Sequence, residues 1–380
     1  MEGGLQICLG TIGKGDLFRT YCSWGKKHLA NDSRSGNTTA RAVERLTMSP
    51  ALDEELSVSP DGRKLAFTNV SAQVRVWMLP FDSANGRITG PGRPITSPRI
   101  EGYVVNATRD GERLGIAGLQ GGLSKAWEVV IRTGKEEIIM PADSYLRHFP
   151  IWSPDGRRAA YIRSFADKGQ IAVWSRESRS EESVGPLSSS YGPVYDWSPD
   201  GSAVVLSQRN DTTGRVEVRQ VPVDHSGPVQ STPRKIISDP NENIWQPHFS
   251  RDGRWIVFVT DKSLPQQLTC RLFVVKVGGG SWVPITDGKH WDDKPRWSPD
   301  GKVIYFLSDR TGLFNVWGIH FDAAGGQPLG EPFRVTSFDS PDLKVSKGSP
   351  IAEFSLTENH LFLPLEHSSG SIWILDNVDR

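Results

Sequence analysis

Cysteine is scarce in this chain. Cys8, Cys22 and Cys270 are the only three in 380 residues, and no two of them form a C-x-x-C pair. A disulfide framework and a cysteine-based zinc or redox motif are thereby excluded, although a single bridge is not. Excess charge of either sign is also missing, because 44 Lys and Arg balance 44 Asp and Glu. Such a chain has no global field to steer it onto nucleic acid or an anionic membrane, so neither is expected as a partner. No apolar run approaches the roughly 18 residues of a membrane-crossing helix. The opening stretch MEGGLQICLGTIGKGDLFRTYC has no basic leader and no apolar run of signal-peptide length, so a cytoplasmic location is the default expectation. It becomes periplasmic or otherwise extracytoplasmic if the natural start lies upstream.

Recognisable catalytic signatures are missing as well. There is no G-x-S-x-G nucleophile elbow and no H-E-x-x-H pair. GTIGKGD at 10–16 misplaces its first glycine, and Gly15 follows Lys14 where a phosphate loop needs Ser or Thr. DPNENIW at 239–245 alternates oxygen ligands but lacks the glycine and closing glutamate of a calcium loop, and reads as a solvated turn. His148, His248 and His290 border expected strands and read as surface or interface residues. No cofactor and no metal are expected.

What the chain does have is repetition. WSPDG occurs at 152–156, 197–201 and 297–301, with looser copies VSPDG at 58–62, ATRDG at 107–111 and FSRDG at 249–253. FSLTEN at 354–359 is a worn seventh copy. The sixth copy, KPRWSPDGKVIYFLSDRTGLFNVWGIHFD, reads as strand, turn, strand, turn, strand. A fourth short strand ends at 284–286 or 334–336. Proline presets φ at the second turn position, aspartate bonds to nearby amides, and glycine accepts the left-handed conformation that closes the hairpin. Asp61 and Gly62, Asp110 and Gly111, Asp155 and Gly156, Asp200 and Gly201, Asp252 and Gly253, and Asp300 and Gly301 are therefore assigned as structural turns.

Large aromatics recur in step. Trp152, Trp197 and Trp297, with Phe249 and Phe354, precede the turn. Trp77, Trp127, Trp174, Trp317 and Trp373, with Phe273, fall in the third strand. Burying one such side chain stabilises by roughly 1.5–3 kcal/mol, so two per repeat would bind each sheet to its neighbour. Four-stranded units of this period predict an all-β fold, a seven-bladed β-propeller whose first strands begin near residues 55, 103, 148, 193, 245, 294 and 351. SIWIL at 371–375 is a third strand with no fourth after it. AVERLT at 42–47 is a fourth strand with no third before it. The ring is expected to close by pairing 43–47 with 371–375, leaving 1–41 as an N-terminal extension and 42–380 as the propeller.

KPRWSPDGKVIYFLSDRTGLFNVWGI and FPIWSPDGRRAAYIRS resemble the repeat of the TolB-like β-propellers, and the resemblance covers about residues 43–375. It implies a scaffold that binds a protein or peptide, here a non-catalytic monomer. Similar blades also occur in prolyl-oligopeptidase-like peptidases and behind kinase or DNA-binding domains. The alternatives are thus a lyase or hydrolase acting at the channel mouth, or a ligand-sensing domain detached from a kinase or transcriptional regulator. Variable loops on a rigid scaffold are where binding resides. The expected binding face lies opposite the SPDG turns and carries Tyr145, Arg147, His148, Trp245, His290, Trp291, Asp292, Asp293, Asp309 and Arg310.

Overall fold

In the computed structural model the described residues are 6–12, 16–22, 44–45, 52–61, 63–98, 100–120, 123–140, 146–165, 167–223, 232–264, 267–346 and 353–376. The SPDG stretches build one repeated turn. Each aspartate Oδ1 accepts the amide two residues on, as Asp155 does from Arg157 at 3.1 Å and Asp200 from Ser202 at 3.0 Å. Gly111, Gly156, Gly201, Gly253 and Gly301 have φ between 68° and 74°, the left-handed region that costs glycine nothing. The hydroxyl at the first turn position adds a second lock. Ser198 Oγ donates to Asp200 at 2.5 Å and accepts the Ala203 amide at 2.9 Å. The same pair of bonds recurs at Thr108, Ser153, Ser250 and Ser298. Gly62 lies outside the described residues, but Ser59 and Asp61 keep the pattern.

Around these turns the chain is all-β, with no helix among the described residues. It divides into two compact units, Met1–Gln73 with Glu366–Arg380, and Val74–Leu365. The second unit holds five four-stranded antiparallel blades. The first strands of blades 1 to 5, numbered in chain order, are Glu101–Ala107, Leu146–Trp152, Tyr191–Trp197, Asn243–Phe249 and Asp292–Trp297. A sixth sheet is assembled from both ends of the unit. Ser355–Leu356 pairs with the start of His360–Asp376, which lies beside Lys64–Asp82, and Arg93–Pro94 pairs with the latter at Trp77↔Pro94.

A bond can be named at every junction between successive first strands. Trp152 N donates to Asn106 Oδ1 at 2.7 Å, Trp197 Nε1 to Ile151 O at 2.8 Å, and Phe249 N to Asp196 Oδ2 at 2.9 Å. Trp297 Nε1 donates to His248 O at 3.1 Å, Arg296 Nε to Phe354 O at 3.1 Å, and Ala107 N to Ser355 Oγ at 3.0 Å. The ring of first strands therefore closes with six members, and the expected count of seven is corrected. Trp152, Trp197 and Trp297 are buried between blades, as the repeat suggested.

The missing seventh blade has a local cause. In blade 3 Gly214 (φ 69°) closes the hairpin between second and third strands, its amide donating to Asn210 O; in blade 5 Gly312 (φ 89°) does so on Asp309 O. Residues 69–73 read Asn-Val-Ser-Ala-Gln and contain no such turn residue, while Gly370 keeps a strand conformation without positive φ. The expected second and third strands of the first and last repeats therefore run on as the single strands Lys64–Asp82 and His360–Asp376, paired with each other.

The first unit includes residues 64–73 and 366–376 of these strands. Leu52–Val58 pairs with Lys64–Asp82 from Leu52↔Val70 to Val58↔Leu65, and Leu65 and Phe67 pack with Leu56 and Leu375. Gln6–Ile12 forms a hairpin with Asp16–Cys22, and Glu44–Arg45 joins it at Cys8↔Arg45. The expected pairing of 43–47 with 371–375 is corrected accordingly. Each segment has another partner, and Trp373, at the position where Trp127 and Trp174 are buried, is 54% exposed.

The double bond at the turn serine makes a stability prediction. Ser198→Ala leaves the buried Ala203 amide without its acceptor and Asp200 without its hydroxyl donor. The expected loss is about 1–3 kcal/mol in urea unfolding, the cost of an unpaired buried donor.

Candidate functional site

The residue just before the turn aromatic faces its equivalents around the ring. These residues are Asn106, Ile151, Asp196, His248, Arg296 and Glu353, one from each first strand or the segment leading into it. Except at Asn106, which Ala107 follows, the next residue is an aromatic fixed by packing, so this position is set in place by the blade while its side chain remains variable. Four consecutive members carry charge or a titratable ring. Arg296 Nη1 lies 2.5 Å from His248 Nε2, and Arg296 Nη2 is bonded to Glu353 Oε2. His248 Nδ1 is 3.8 Å from Asp196 Oδ2. A chain of Asp196, His248, Arg296 and Glu353 thus runs around half the ring.

Lys294 joins it from two residues upstream. Its ammonium lies 3.3 Å from Asp293 Oδ2 and 3.7 Å from Glu353 Oε1, and its side chain is 3% exposed. Burial works against its charge, but Asp293 and Glu353 outweigh that, and its pKa is raised. Lys294 has φ 56°, and Gln246, at the equivalent place in blade 4, has φ 53°. Both fall within the bulges of their first strands, between Trp245 and His248 and between Asp293 and Arg296. A left-handed backbone at a residue other than glycine is uncommon and is held here by the Lys294 amide donating to Gln246 Oε1 at 2.9 Å. His248 behaves differently. Burial lowers its pKa from 6.5, Arg296 lowers it further, and Asp196 opposes both, so the ring is neutral and accepts from the guanidinium.

The ten residues expected on the binding face separate into groups. Tyr145 lies outside the described residues. His148 is in the first strand of blade 2, but its side chain is not among those described. Arg147 is buried, its Nε 2.7 Å from Glu181 Oε2, and Arg163 and Tyr161 bond to the same carboxylate. It is a packing residue of blade 2 in this arrangement. The blade 5 members do come together. Trp291 N donates to Asp309 Oδ1 at 3.1 Å and its Nε1 to Asp293 Oδ2 at 3.3 Å. His290 Nδ1 is 4.0 Å from Asp309 Oδ1, and Arg310 pairs with the fully buried Asp292 at 2.8 Å. Burial raises the pKa of Asp292 despite that arginine. Trp245 and Trp291 are half-buried against the core shared by blades 4 and 5. Asp196, Lys294, Arg296 and Glu353 were not singled out from the sequence. The available signal was the variable, often charged letter directly before each W or F of the repeat.

No ligand site for a metal is formed by three or more His, Cys, Asp or Glu among the described residues.

The geometry defines a β-propeller, and comparison with known proteins narrows the class. No family model matches the chain. It is 30% identical over 196 residues to the uncharacterized protein Atu1656 of Agrobacterium fabrum, covering 51% of this chain and 61% of that one. It is 25% identical over 206 residues to the Tol-Pal system protein TolB of Francisella tularensis, covering 54% and 45%. Against the uncharacterized peptidase YuxL of Bacillus subtilis the figures are 25% over 136 residues, 33% and 21%. The matched region spans less than two thirds of each relative. Among solved structures, a putative TolB from Agrobacterium tumefaciens aligns at TM-score 0.53 and 18% identity, covering 80% of this chain and 99% of that one. An oligogalacturonate lyase in complex with manganese aligns at 0.50 and 11%, covering 83% and 98%. Relatives named TolB match it in sequence and a putative TolB aligns with it in structure, which supports a TolB-like β-propeller. The expectation that it is not an enzyme is corrected. A peptidase-named relative matches it in sequence and a lyase shares its fold, so a missing nucleophile elbow does not exclude catalysis.

Two predictions follow from the charged chain. Lys294→Met leaves Asp293 without its cation and Glu353 with Arg296 alone, and the expected loss is about 3–5 kcal/mol in chemical denaturation. The second concerns acid. Below pH 6.5 the unfolded chain binds a proton at His248 that the folded chain does not. Folding stability therefore falls as pH drops from 6.5 towards the lowered pKa, by at most about 1.4 kcal/mol per pH unit. Unfolding curves at pH 7 and 5.5 should show this drop in the wild type and a smaller one in His248→Gln.

Proposed function

We propose that the chain binds a protein or peptide partner on the propeller face opposite the SPDG turns, centred on the rim of blades 4 and 5. The observation that carries this reading is the pair Trp245 and Trp291. Both are half-buried on one rigid core, and Trp291 is held by hydrogen bonds to Asp309 and Asp293. Ordered aromatics beside His290, Asp309 and Arg310 have the composition of an interface hot spot. The relatives named for the Tol-Pal system support a protein partner in general. The wider set that includes Arg147 stays part of the proposal only as support for the scaffold, because its charge is already paired within blade 2.

The test compares two variants in co-purification from the native cell. Trp245→Ala, His290→Ala and Trp291→Ala together are expected to lose the partner. Arg157→Ala, Arg254→Ala and Lys302→Ala, beside the turns of the other face, are expected to keep it. Both must give wild-type circular dichroism. Retention by the first set and loss by the second would move the site to the opposite face.

A further inference from the structure

Ile372, Trp373 and Ile374 are 76%, 54% and 60% exposed, three large apolar side chains in a row. The other exposed large hydrophobics among the described residues are Val58, Ile138, Leu187, Val277 and Leu329, each alone in the sequence. Single exposed apolar residues are ordinary, but a run of them marks a contact surface. The run lies in the second half of His360–Asp376, within the smaller unit. Successive strand residues point to opposite faces, so neither face of this stretch is covered. The strand is nonetheless anchored. Trp373 Nε1 donates to Ser371 Oγ at 2.8 Å, Leu375 packs with Leu56, Leu65 and Phe67, and Asp376 pairs with Lys64 at 3.3 Å.

One edge of this strand is bonded to Lys64–Asp82. The other carries Ser355–Leu356, opposite Phe362 and Leu361, and the three-residue strand Leu343–Val345, after which Ser346 N donates to Pro364 O. Neither reaches 371–375, so among the described residues no strand lies on that side of SIWIL. Proteins blunt open edges with charge or proline. This chain does so elsewhere. The fourth strands of blades 1, 2, 3 and 5 read KEEI, EESVGPLS, RKII and QPLGEPFR, and that of blade 4 ends in Pro284. Leu52–Val58, at the other margin of the same sheet, reads LDEELSV, whose like charges oppose self-pairing. By contrast SGSIWIL at 369–375 has neither a charge nor a proline. The segment is also its own complement. In an antiparallel pair centred on Trp373, the two Trp373 residues face each other, Ile372 faces Ile374, and no like charges are opposed. Aromatic and β-branched pairs across strands are favourable ones. With SIWIL the one bare margin of the sheet, such pairing closes as a two-fold dimer and does not extend into a fibre.

We propose that residues 371–375 are a dimerisation edge, through which two copies of this chain join by antiparallel pairing of their SIWIL strands about Trp373. The dimer replaces the expected monomer and is independent of the rim of blades 4 and 5. Sedimentation equilibrium of the full chain is expected to show a dimer that dissociates on dilution. Ile372→Lys with Ile374→Lys puts charge on the bare edge and should weaken the dimer at least tenfold, with circular dichroism unchanged. A second variant tests the register without relying on the first. Trp373→Cys brings two Cβ atoms within about 4.5–5.5 Å and should give a disulfide-linked dimer on mild oxidation. Ser369→Cys, whose two copies lie about 25 Å apart in that register, should cross-link no more than wild type. A chain that stays monomeric at every concentration, a dimer undiminished in the lysine variant, or equal cross-linking at both cysteines would overturn the proposal. So would a monomer that co-purifies with a different protein seated on this strand.

Discussion

Everything in the larger unit depends on how six first strands are joined side by side. Among the described residues adjacent blades share no backbone ladder, only one isolated bridge between Cys270 and Trp291, so each junction rests chiefly on packing and on a side chain reaching across. Asn106, Asp196 and Ser355 each accept a backbone amide of the next blade, and Trp197 and Trp297 each donate to a carbonyl of the preceding one. These bonds link groups that would otherwise be buried without partners, where an unpaired donor or acceptor costs about 1–3 kcal/mol. The consequence is that the residue before each turn aromatic is held at the inner ring whatever its chemistry. The scaffold can therefore vary that residue from Asn to Ile, Asp, His, Arg and Glu without altering the blade.

The charged half of the ring is costly to build. Taking Lys294, Arg296 and Glu353 out of water is unfavourable, and only close pairing offsets it. The left-handed backbone of Lys294 and Gln246 adds strain. Strain of this kind concentrates where a protein binds or reacts. The same two blades carry Trp245, Trp291 and the Asp292–Arg310 pair, so blades 4 and 5 hold the least repeat-like chemistry in the unit. A fold shared by binding proteins and enzymes can direct such a cluster to either use.

Closure shows how little separates two strand arrangements. A hairpin between second and third strands forms where Asn210–Gly214 or Asp309–Gly312 supplies a turn with positive φ. Where 69–73 supplies none, the chain stays extended and finds its ladder partner in the last repeat. The backbone groups are satisfied either way. The number of blades thus follows from a few turn residues.

The sequence by itself determined the all-β class, the blade as a unit, the role of every described SPDG turn and the buried aromatics between blades. These are local properties: a turn, a period of alternation and an aromatic each act over a few residues, and repetition made them legible. The ring of Asp196, His248, Arg296 and Glu353 was not legible, because its members lie about 48–57 residues apart in the chain and each alone is an ordinary polar residue. Nor was the pairing of Arg147 with Glu181, which removes one expected binding residue into the packing of its blade. Only the tertiary structure decided that the ring has six members and which charges meet across it. Those outcomes depend on long-range pairing, where backbone hydrogen bonds are equally available to several partners and side-chain contacts between distant strands select among them.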